Sequence, residues 1–232
     1  MTGLGRFGDV SMGGKITGLR YQKRKRDRVN VYIDGEFAFG LPAIEAARLR
    51  VGQSLTDAEI ARLREVDAEA RAFDDLARFL GYRPRSVAES RRYLEERGVP
   101  GAIVDRVIDR ARAAGYLDDA AFARFWIENR LRFRPRGERA LRHELFIKGV
   151  PPEVVDEALK RMEIDEAVAA REVLMAREAA WRRLDWPTFR QRAGALLARR
   201  GFDYDTIADV LREVWQRWAD ADGSSAEGSP DT

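Results

Sequence analysis

Residues 84–99 read PRSVAESRRYLEERGV, and a related pattern returns as PRGERALRHELFIKGV at 135–150 and as PTFRQRAGALLARRGF at 187–202. The three glycines near the ends of these stretches are 51 and 52 residues apart. A proline stands 14 residues before each glycine, and a leucine stands four residues before it. Self-similarity at a nearly fixed period of this size predicts tandem structural repeats.

Each repeat is predicted to contain three helices. The proline cannot continue a preceding helix, so it opens the turn into the middle helix. The glycine takes the left-handed conformation that closes a helix C terminus. Apolar residues six and ten positions later mark a third helix; they are Val104, Ile108, Val155, Leu159, Ile207 and Leu211. Ser86 and Glu89 have the spacing of a capping box at the start of the first middle helix.

The N-terminal region shows the period of strands instead of helices. Residues 29–39 alternate in hydrophobicity around Asp34-Gly35, which predicts a two-residue hairpin turn. Residues 15–21 are predicted to form a third strand. Helices are expected over 42–50 and over 56–65, the second of them opened by a capping box.

The predicted fold class is therefore mainly α. Three tandem three-helix repeats form a curved, elongated body, preceded by a small β-hairpin and helix domain. The expected segments are a disordered N terminus (1–13), a β-plus-helix domain (14–67), repeat 1 (68–117), repeat 2 (118–163), repeat 3 (164–218) and a disordered acidic tail (219–232).

Composition excludes several kinds of chemistry. The chain has no cysteine and a single histidine, His143, so cysteine-ligated zinc, thiol catalysis and histidine-rich metal sites are excluded. Residues 3–8 match a dinucleotide-binding glycine pattern, but no strand can precede them. We predict no catalytic residue, metal or cofactor; an enzyme remains an alternative only through long-range convergence. Without a signal peptide or a membrane-spanning stretch, the expected form is a cytoplasmic monomer.

Basic side chains are concentrated in three places. The strongest cluster spans the turn before the middle helix of repeat 2, is offset only by Glu138, and comprises Arg130, Arg132, Arg134, Arg136, Arg139 and Arg142. Lys148 is predicted to belong to the same binding surface. A matching group in repeat 1 comprises Arg91, Arg92 and Arg97, and a secondary basic loop comprises Lys23, Arg24, Lys25, Arg26 and Arg28. Such cations suit phosphates or an acidic protein groove. A solvated, arginine-rich surface is the alternative interpretation.

Repeat 2 is the part of the chain that most closely resembles a known protein family. Residues 115–123 read GYLDDAAFA and are followed by Trp126 and Arg130, which resembles the central signature of the RecX family. Residues 14–17 and 31–37 resemble the N-terminal region of its longer members. The resemblance extends over about 14–218.

Repeat 3 departs most from this family pattern. It has Arg183 where the other copies have Leu80 and Leu131.

Membership of this family would imply a regulator of the RecA recombinase. Its members lie in the helical groove of the RecA–single-stranded DNA filament and bridge successive protomers. They inhibit filament extension, ATP hydrolysis, strand exchange and coprotease activity, which links them to DNA repair and the SOS response. The implied partners are the RecA filament and, weakly, single- or double-stranded DNA. A stand-alone basic nucleic-acid-binding helical-repeat protein is the alternative hypothesis.

Overall fold

The computed structural model describes residues 13–23 and 27–226, with side chains as far as residue 221. Contacts divide the chain into two compact units. The first unit combines the residues up to Arg83 with Ser90–Leu117, and the second combines Pro84–Glu89 with the residues from Asp118 onward. Across the described ranges, no helix is both long enough and apolar enough to cross a membrane.

The N-terminal sheet has four antiparallel strands in the order β3-β2-β1-β4. The elements are β1 (Gly14–Tyr21), β2 (Arg28–Ile33), β3 (Glu36–Pro42), α1 (Ala43–Ala46) and β4 (Ser54–Leu55). Asp34 and Gly35 have φ values of 50° and 92°, as the predicted hairpin turn requires. The helix predicted over 42–50 is only the four-residue α1, because the chain turns at Gly52 into the unpredicted strand β4.

Repeat 1 shares its first helix with the N-terminal domain. The helix α2 (Asp57–Leu80) is continuous over 24 residues, and the predicted capping box between Thr56 and Glu59 opens it. It therefore crosses the expected boundary between residues 67 and 68 without a break. The other two helices of the repeat are α3 (Val87–Glu96) and α4 (Gly101–Ala113).

Repeats 2 and 3 follow the same order of helices, with one addition. Repeat 2 contains α5 (Asp119–Phe133), α6 (Glu138–Ile147) and α7 (Pro152–Met162); repeat 3 contains α8 (Glu166–Met175), α9 (Glu178–Trp181), α10 (Trp186–Arg199) and α11 (Tyr204–Ala226). The mainly helical fold with tandem repeats behind a small sheet is thus confirmed, and the short helix α9 is an insertion. The disordered tail expected from residue 219 is wrong as far as Ala226, because α11 continues to that residue. The rest of that expected tail, and residues 1–12 of the expected disordered N terminus, lie outside the described residues.

The proline position differs in repeat 3. Pro84 and Pro135 stand in turns before α3 and α6, as predicted, but Pro187 lies within the first turn of α10. Proline is tolerated there because the N–H it lacks would have no partner inside the helix. Asp185 makes the earlier start possible, since its side chain accepts a hydrogen bond from Thr188 N (3.1 Å).

The closing glycines confirm the register of the repeats. Gly98, Gly149 and Gly201 have φ values of 75°, 73° and 84°, in the left-handed region. After each glycine, the next backbone N–H donates to the carbonyl of the leucine five residues earlier; these bonds are Val99 to Leu94 (3.2 Å), Val150 to Leu145 (3.1 Å) and Phe202 to Leu197 (3.3 Å). The three middle helices therefore end in the same Schellman motif.

Tryptophan packing fills the core of repeat 3. Phe189 is completely buried, and four tryptophan rings surround it with centroids 5.3–6.1 Å from its own; they belong to Trp181, Trp186, Trp215 and Trp218. Their role is therefore packing. Repeat 3 thus has an aromatic core of its own despite its departures from the family pattern.

Consecutive middle helices meet end to end at two places, which we call joints. At the first joint, the start of α3 meets the closing turn of α6. Ser86 Oγ donates to the Lys148 carbonyl (2.6 Å), and Lys148 Nζ lies 2.9 Å from Glu89 Oε1. A Cβ added at Gly149 would collide with the methyl group of Ala88. Glycine is therefore required for the close approach as well as for the left-handed backbone.

At the second joint, the start of α6 meets the closing turn of α10. Gly137 N donates to the Arg200 carbonyl (3.0 Å), and the Arg200 guanidinium donates to the Pro135 carbonyl (3.2 Å). A Cβ at Gly201 would collide with Ala140, and a Cβ at Gly137 would collide with the backbone of Gly201. Ser86 and Gly137 both stand 12 residues before the closing glycine of their own repeat, so the two joints are structurally equivalent.

Each joint is completed by an acidic residue of the following repeat. Asp119 accepts a hydrogen bond from Val87 N (2.9 Å), the first residue of α3. Glu166 accepts one from Glu138 N, the first residue of α6. These carboxylates satisfy backbone donors that no residue inside the helix can reach, and they favour the positive end of the helix dipole.

Candidate partner-binding surface

The basic cluster of repeat 2 is built around Trp126. The Arg130 guanidinium lies 4.3 Å from the centroid of its ring, and Lys148 Nζ lies 4.7 Å from it. Trp126 Nε1 and Arg130 Nε donate to the same oxygen of Glu144, at 2.8 and 2.6 Å. Arg136 Nε lies 3.4 Å from the other oxygen of that carboxylate. The single carboxylate of Glu144 therefore contacts two guanidinium groups, so it neutralises only one of their two positive charges.

Three members of this cluster serve the fold. Arg142 pairs with Glu138 and with Asp156, and hydrogen bonds to these two carboxylates raise the pKa of its guanidinium. Arg139 donates to the Ala198 carbonyl at 3.4 Å, and Lys148 pairs with Glu89 at the first joint. The expectation that only Glu138 offsets the cluster is wrong, because Glu144 and Asp156 also face it.

Arg132 and Arg134 are the exposed members whose side chains make neither an ion pair nor a hydrogen bond within the described residues. The Arg132 guanidinium lies 5.1 Å from the ring centroid of Phe133, which is 65% exposed. Arg134 follows directly at the end of α5. These two cations and the neighbouring ring are therefore available to a partner.

Repeat 3 adds arginines that the sequence analysis missed. Arg200 donates to the carbonyl of Pro135, the residue between Arg134 and Arg136. Burial lowers the pKa of Arg200, and the charges of Arg136, Arg177 and Arg134 lower it further. We call Arg134, Arg136, Arg177 and Arg200 the arginine patch. The repulsion that Arg200 experiences from the other three indicates a surface that carries more positive charge than its own carboxylates neutralise.

The arginine-rich surface extends beside α9. A shallow hollow is lined by Arg177, Arg192 and Arg199 together with Trp181, and no carboxylate is among its lining residues. The position of Arg200 in the sequence offers one signal for the patch, since it precedes its closing glycine as Lys148 does. Arg177 offers no such signal, because α9 has no equivalent in the other repeats.

The basic group of repeat 1 lies in the other compact unit. Arg91 pairs with Asp105 (2.6 Å), and the Arg97 guanidinium lies 4.3 Å from the ring centroid of Tyr93. Arg92 is exposed and makes no ion pair within the described residues. Of the three predicted arginines, only Arg91 thus forms an ion pair with a carboxylate of the described residues, and Arg92 and Arg97 do not.

The prediction that the secondary basic loop binds a partner is wrong at Arg28. Its side chain is buried against α2 and pairs with Asp67, which also binds Arg71. Arg28 therefore holds the sheet to a helix and cannot serve a partner. Lys23 is exposed, and Arg24, Lys25 and Arg26 lie outside the described residues.

Family models match most of the chain. Residues 14–56 match the regulatory protein RecX N-terminal domain, 72–110 the first RecX three-helix domain, 118–159 the second and 164–211 the third. The four matches follow the order of the sheet and the repeats described above.

Similar proteins carry the name regulatory protein RecX. That of Bacillus pumilus is 27% identical over 206 residues, covering 86% of this chain and 77% of its own. That of Lactobacillus gasseri is 30% identical over 202 residues, covering 86% and 74%.

Two solved RecX structures share the fold. A crystal structure of regulatory protein RecX superposes with a TM-score of 0.71 at 24% identity, covering 86% of this chain and 99% of that one. RecX from Lactobacillus salivarius gives a TM-score of 0.58 at 15% identity, covering 64% and 97%.

Proposed function

Because the chain belongs to the RecX family of regulatory proteins, we propose that it regulates the RecA recombinase by binding in the groove of the RecA–single-stranded DNA filament. Bound there, it inhibits filament extension, ATP hydrolysis, strand exchange and coprotease activity. In this proposal it acts in the cytoplasm as a monomer, through contacts alone, and it needs no catalytic residue or cofactor.

The arginine patch is the observation that carries the proposal. The charges of Arg136, Arg177 and Arg134 all act on Arg200 at the second joint, and of the four arginines only Arg136 is within ion-pair distance of a carboxylate in the described chain. A filament on DNA offers phosphates, and a protein groove offers carboxylates; guanidinium binds either in a forked geometry. Binding such anions would relieve the repulsion that Arg200 experiences from the other three arginines.

The test is the ATPase rate of RecA on single-stranded DNA as this protein is titrated in. We expect the rate to fall, and an unchanged rate at saturating amounts would contradict the proposal. Arg134 and Arg177 are the patch members to reverse, because both are exposed and neither donates to the joint. The double variant R134E/R177E should need about tenfold more protein for the same inhibition, which corresponds to about 1.4 kcal/mol.

Arg190→Glu, which changes the net charge by half as much, is the control for a reversal outside the patch. Arg190 is exposed on α10 and lies ten residues before Arg200, about 15 Å along the helix axis. It should inhibit like the unmodified protein. If it lost inhibition as strongly as R134E/R177E, net charge and not the patch would be responsible.

Stand-alone nucleic-acid binding is the second candidate function, favoured by the exposed Phe133 beside Arg132. An aromatic ring next to arginines provides a base-stacking position along a charged surface. In this case the protein binds bare single-stranded DNA, and four neutralised phosphates give a slope of about −3 in log affinity against log salt. Strong, salt-dependent binding without any effect on the RecA ATPase would favour this second function.

A further inference from the structure

The closing turn of repeat 1 has the geometry of a joint but no helix docked on it. No described atom lies within 4 Å of the position that a Cβ at Gly98 would take, whereas Gly149 and Gly201 are covered by Ala88 and Ala140. We propose that this turn, Arg97-Gly98, is a docking site for the N terminus of a helix from a partner protein. That helix has a hydroxyl residue as its N-cap, a small residue at its second position and a carboxylate at its third.

The two occupied joints define this ligand. At the first joint the incoming helix supplies Ser86, whose hydroxyl donates to the carbonyl just before the closing glycine. It also supplies Ala88, whose methyl group fills the space above Gly149. Its Glu89 pairs with Lys148, the residue before that glycine. At the second joint the helix likewise donates a hydrogen bond to the equivalent carbonyl and presents Ala140 to the glycine.

The open turn offers the same three features. The Arg97 carbonyl is equivalent to those of Lys148 and Arg200, yet it accepts no hydrogen bond from a described residue. Above Gly98 there is open space. The Arg97 side chain is the equivalent cation, and within the described residues it pairs with no carboxylate but lies over the Tyr93 ring. That ring is itself stacked on Phe79 at 3.9 Å, so the cation is held close to the turn.

Electrostatics favour an incoming helix N terminus at this place. The C-terminal end of α3 carries the negative end of a helix dipole, and an N terminus brings the positive end. A carboxylate in its first turn would pair with Arg97, as Glu89 pairs with Lys148. The docked helix would thereby continue the end-to-end order of the middle helices.

A second copy of this chain would be a poor occupant. The N terminus of its α2 has the matching residue types in Thr56, Ala58 and Glu59, but the Thr56 hydroxyl donates to Glu59 Oε2 (2.9 Å) and the first turn packs closely against Gly13. Of its middle helices, α3 and α6 already have their N termini in joints, and the N terminus of α10 begins with Trp186-Pro187. These side chains are much larger than the alanines that face Gly149 and Gly201. The inference therefore points to another protein, and it does not depend on the proposed action on RecA.

The experiment uses the full chain, labelled with ¹⁵N, and a synthetic peptide as the probe. The peptide carries residues 84–96 of this chain followed by an alanine-rich helical extension, because a ten-residue helix alone is marginal in water. We expect saturable shifts of the Gly98 and Val99 amide signals, with Gly149 and Gly201 unaffected because their joints are occupied. No shift at Gly98 with about 5 mM peptide, a concentration corresponding to very weak binding, would overturn the proposal.

Gly115 provides a matched control. Gly98 and Gly115 both have φ of 75°, and neither has a described atom within 4 Å of a built Cβ. Asparagine tolerates this conformation, so G98N and G115N cost the fold a similar amount. Peptide affinity should fall at least about tenfold in G98N, through the steric block, and less than about twofold in G115N. An equal loss in both variants would contradict a site at Gly98.

A charge exchange tests the ion pair. A peptide carrying Glu89→Lys should bind the unmodified chain several-fold more weakly, and the variant Arg97→Glu should restore its binding. Failure of the exchanged pair to recover affinity would contradict the assigned role of Arg97.

Discussion

The two joints share their backbone geometry but differ in their polar contacts. At the first joint a serine hydroxyl meets the carbonyl and a lysine pairs with a glutamate. At the second, a main-chain N–H of Gly137 meets the carbonyl and Arg200 donates to another carbonyl. Both retain a left-handed glycine facing an alanine. The difference teaches that close backbone approach defines the joint, while the charged contacts can be exchanged.

The joints also differ in how easily they can relax. A Cβ at Gly149 would meet first a methyl group, whereas a Cβ at Gly201 would meet the backbone nitrogen of Ala140 as well as its methyl. Their stability can be measured selectively, because all five tryptophans belong to the second compact unit; they are Trp126, Trp181, Trp186, Trp215 and Trp218. Tryptophan fluorescence during urea unfolding thus reports on the unit that contains both joints.

Gly201→Ala should have the largest effect. Left-handed strain of about 1–2 kcal/mol adds to overpacking of about 1–3 kcal/mol against a backbone that cannot move aside. We expect the free energy of unfolding to fall by about 3–4 kcal/mol in the tryptophan-detected transition. The control Gly98→Ala has the same positive φ but open space and lies in the other unit, so this transition should stay unchanged. Equal losses would mean that the two units unfold together and that a Cβ costs as much at the open turn as at the occupied one.

Gly149→Ala should cost less, about 2–3 kcal/mol in the same measurement, because the opposing methyl belongs to a side chain. Adding Ala88→Gly removes that methyl, and the double variant should recover about 1 kcal/mol relative to additivity. The corresponding pair Gly201→Ala with Ala140→Gly should recover little, since the backbone nitrogen of residue 140 remains. Equal recovery at both joints would contradict the steric difference.

Ser86→Ala should destabilise the second unit by about 1–2 kcal/mol. The variant loses the hydroxyl that accepts from Glu89 N (3.0 Å) and donates to the Lys148 carbonyl. Thr56→Ala removes a comparable capping box from α2 in the first unit, so it should leave the tryptophan transition unchanged. A loss in the Thr56 variant would mean that the two units unfold together.

Lys148→Met should have the smallest effect, below about 1 kcal/mol, because the pair with Glu89 is only partly buried. The loss should shrink further in 1 M salt, where ion pairs are screened. Arg200→Met, at the equivalent position, removes a cation that burial and neighbouring arginines disfavour. Its loss of stability should not shrink with salt, and similar salt responses would show that the two joints share the same electrostatics.

Local signals in the sequence predicted much of the fold. The hairpin at Asp34-Gly35 and the capping boxes at Thr56 and Ser86 depend on residues within four positions of one another. The spacing of proline and glycine predicted the repeats for a different reason, because the same 14-residue interval recurs in three copies. The early start of α10 was missed because Asp185 was not considered as a competing N-cap.

The candidate surface was less predictable because charge neutralisation depends on contacts between helices. Glu144 pairs with Arg130 from the neighbouring helix α5, and Asp156 reaches Arg142 from α7. Arg200 comes close to Arg134 and Arg136 only because the second joint brings α10 to the start of α6. A count of charges along the chain includes none of these distances.

The continuous helix α2 has a consequence for any shortened form of this protein. Since it runs unbroken from the sheet into repeat 1, a truncation between residues 67 and 68 would cut a helix in its middle and expose its interior amides. A start just before Asp67 would remove Arg28, and the buried carboxylate of Asp67 would lose one of its two arginine partners. A stable shortened protein would therefore need a new N-cap for the remainder of α2 and a different residue in place of Asp67. Removal of the sheet alone would destabilise the rest of the first unit.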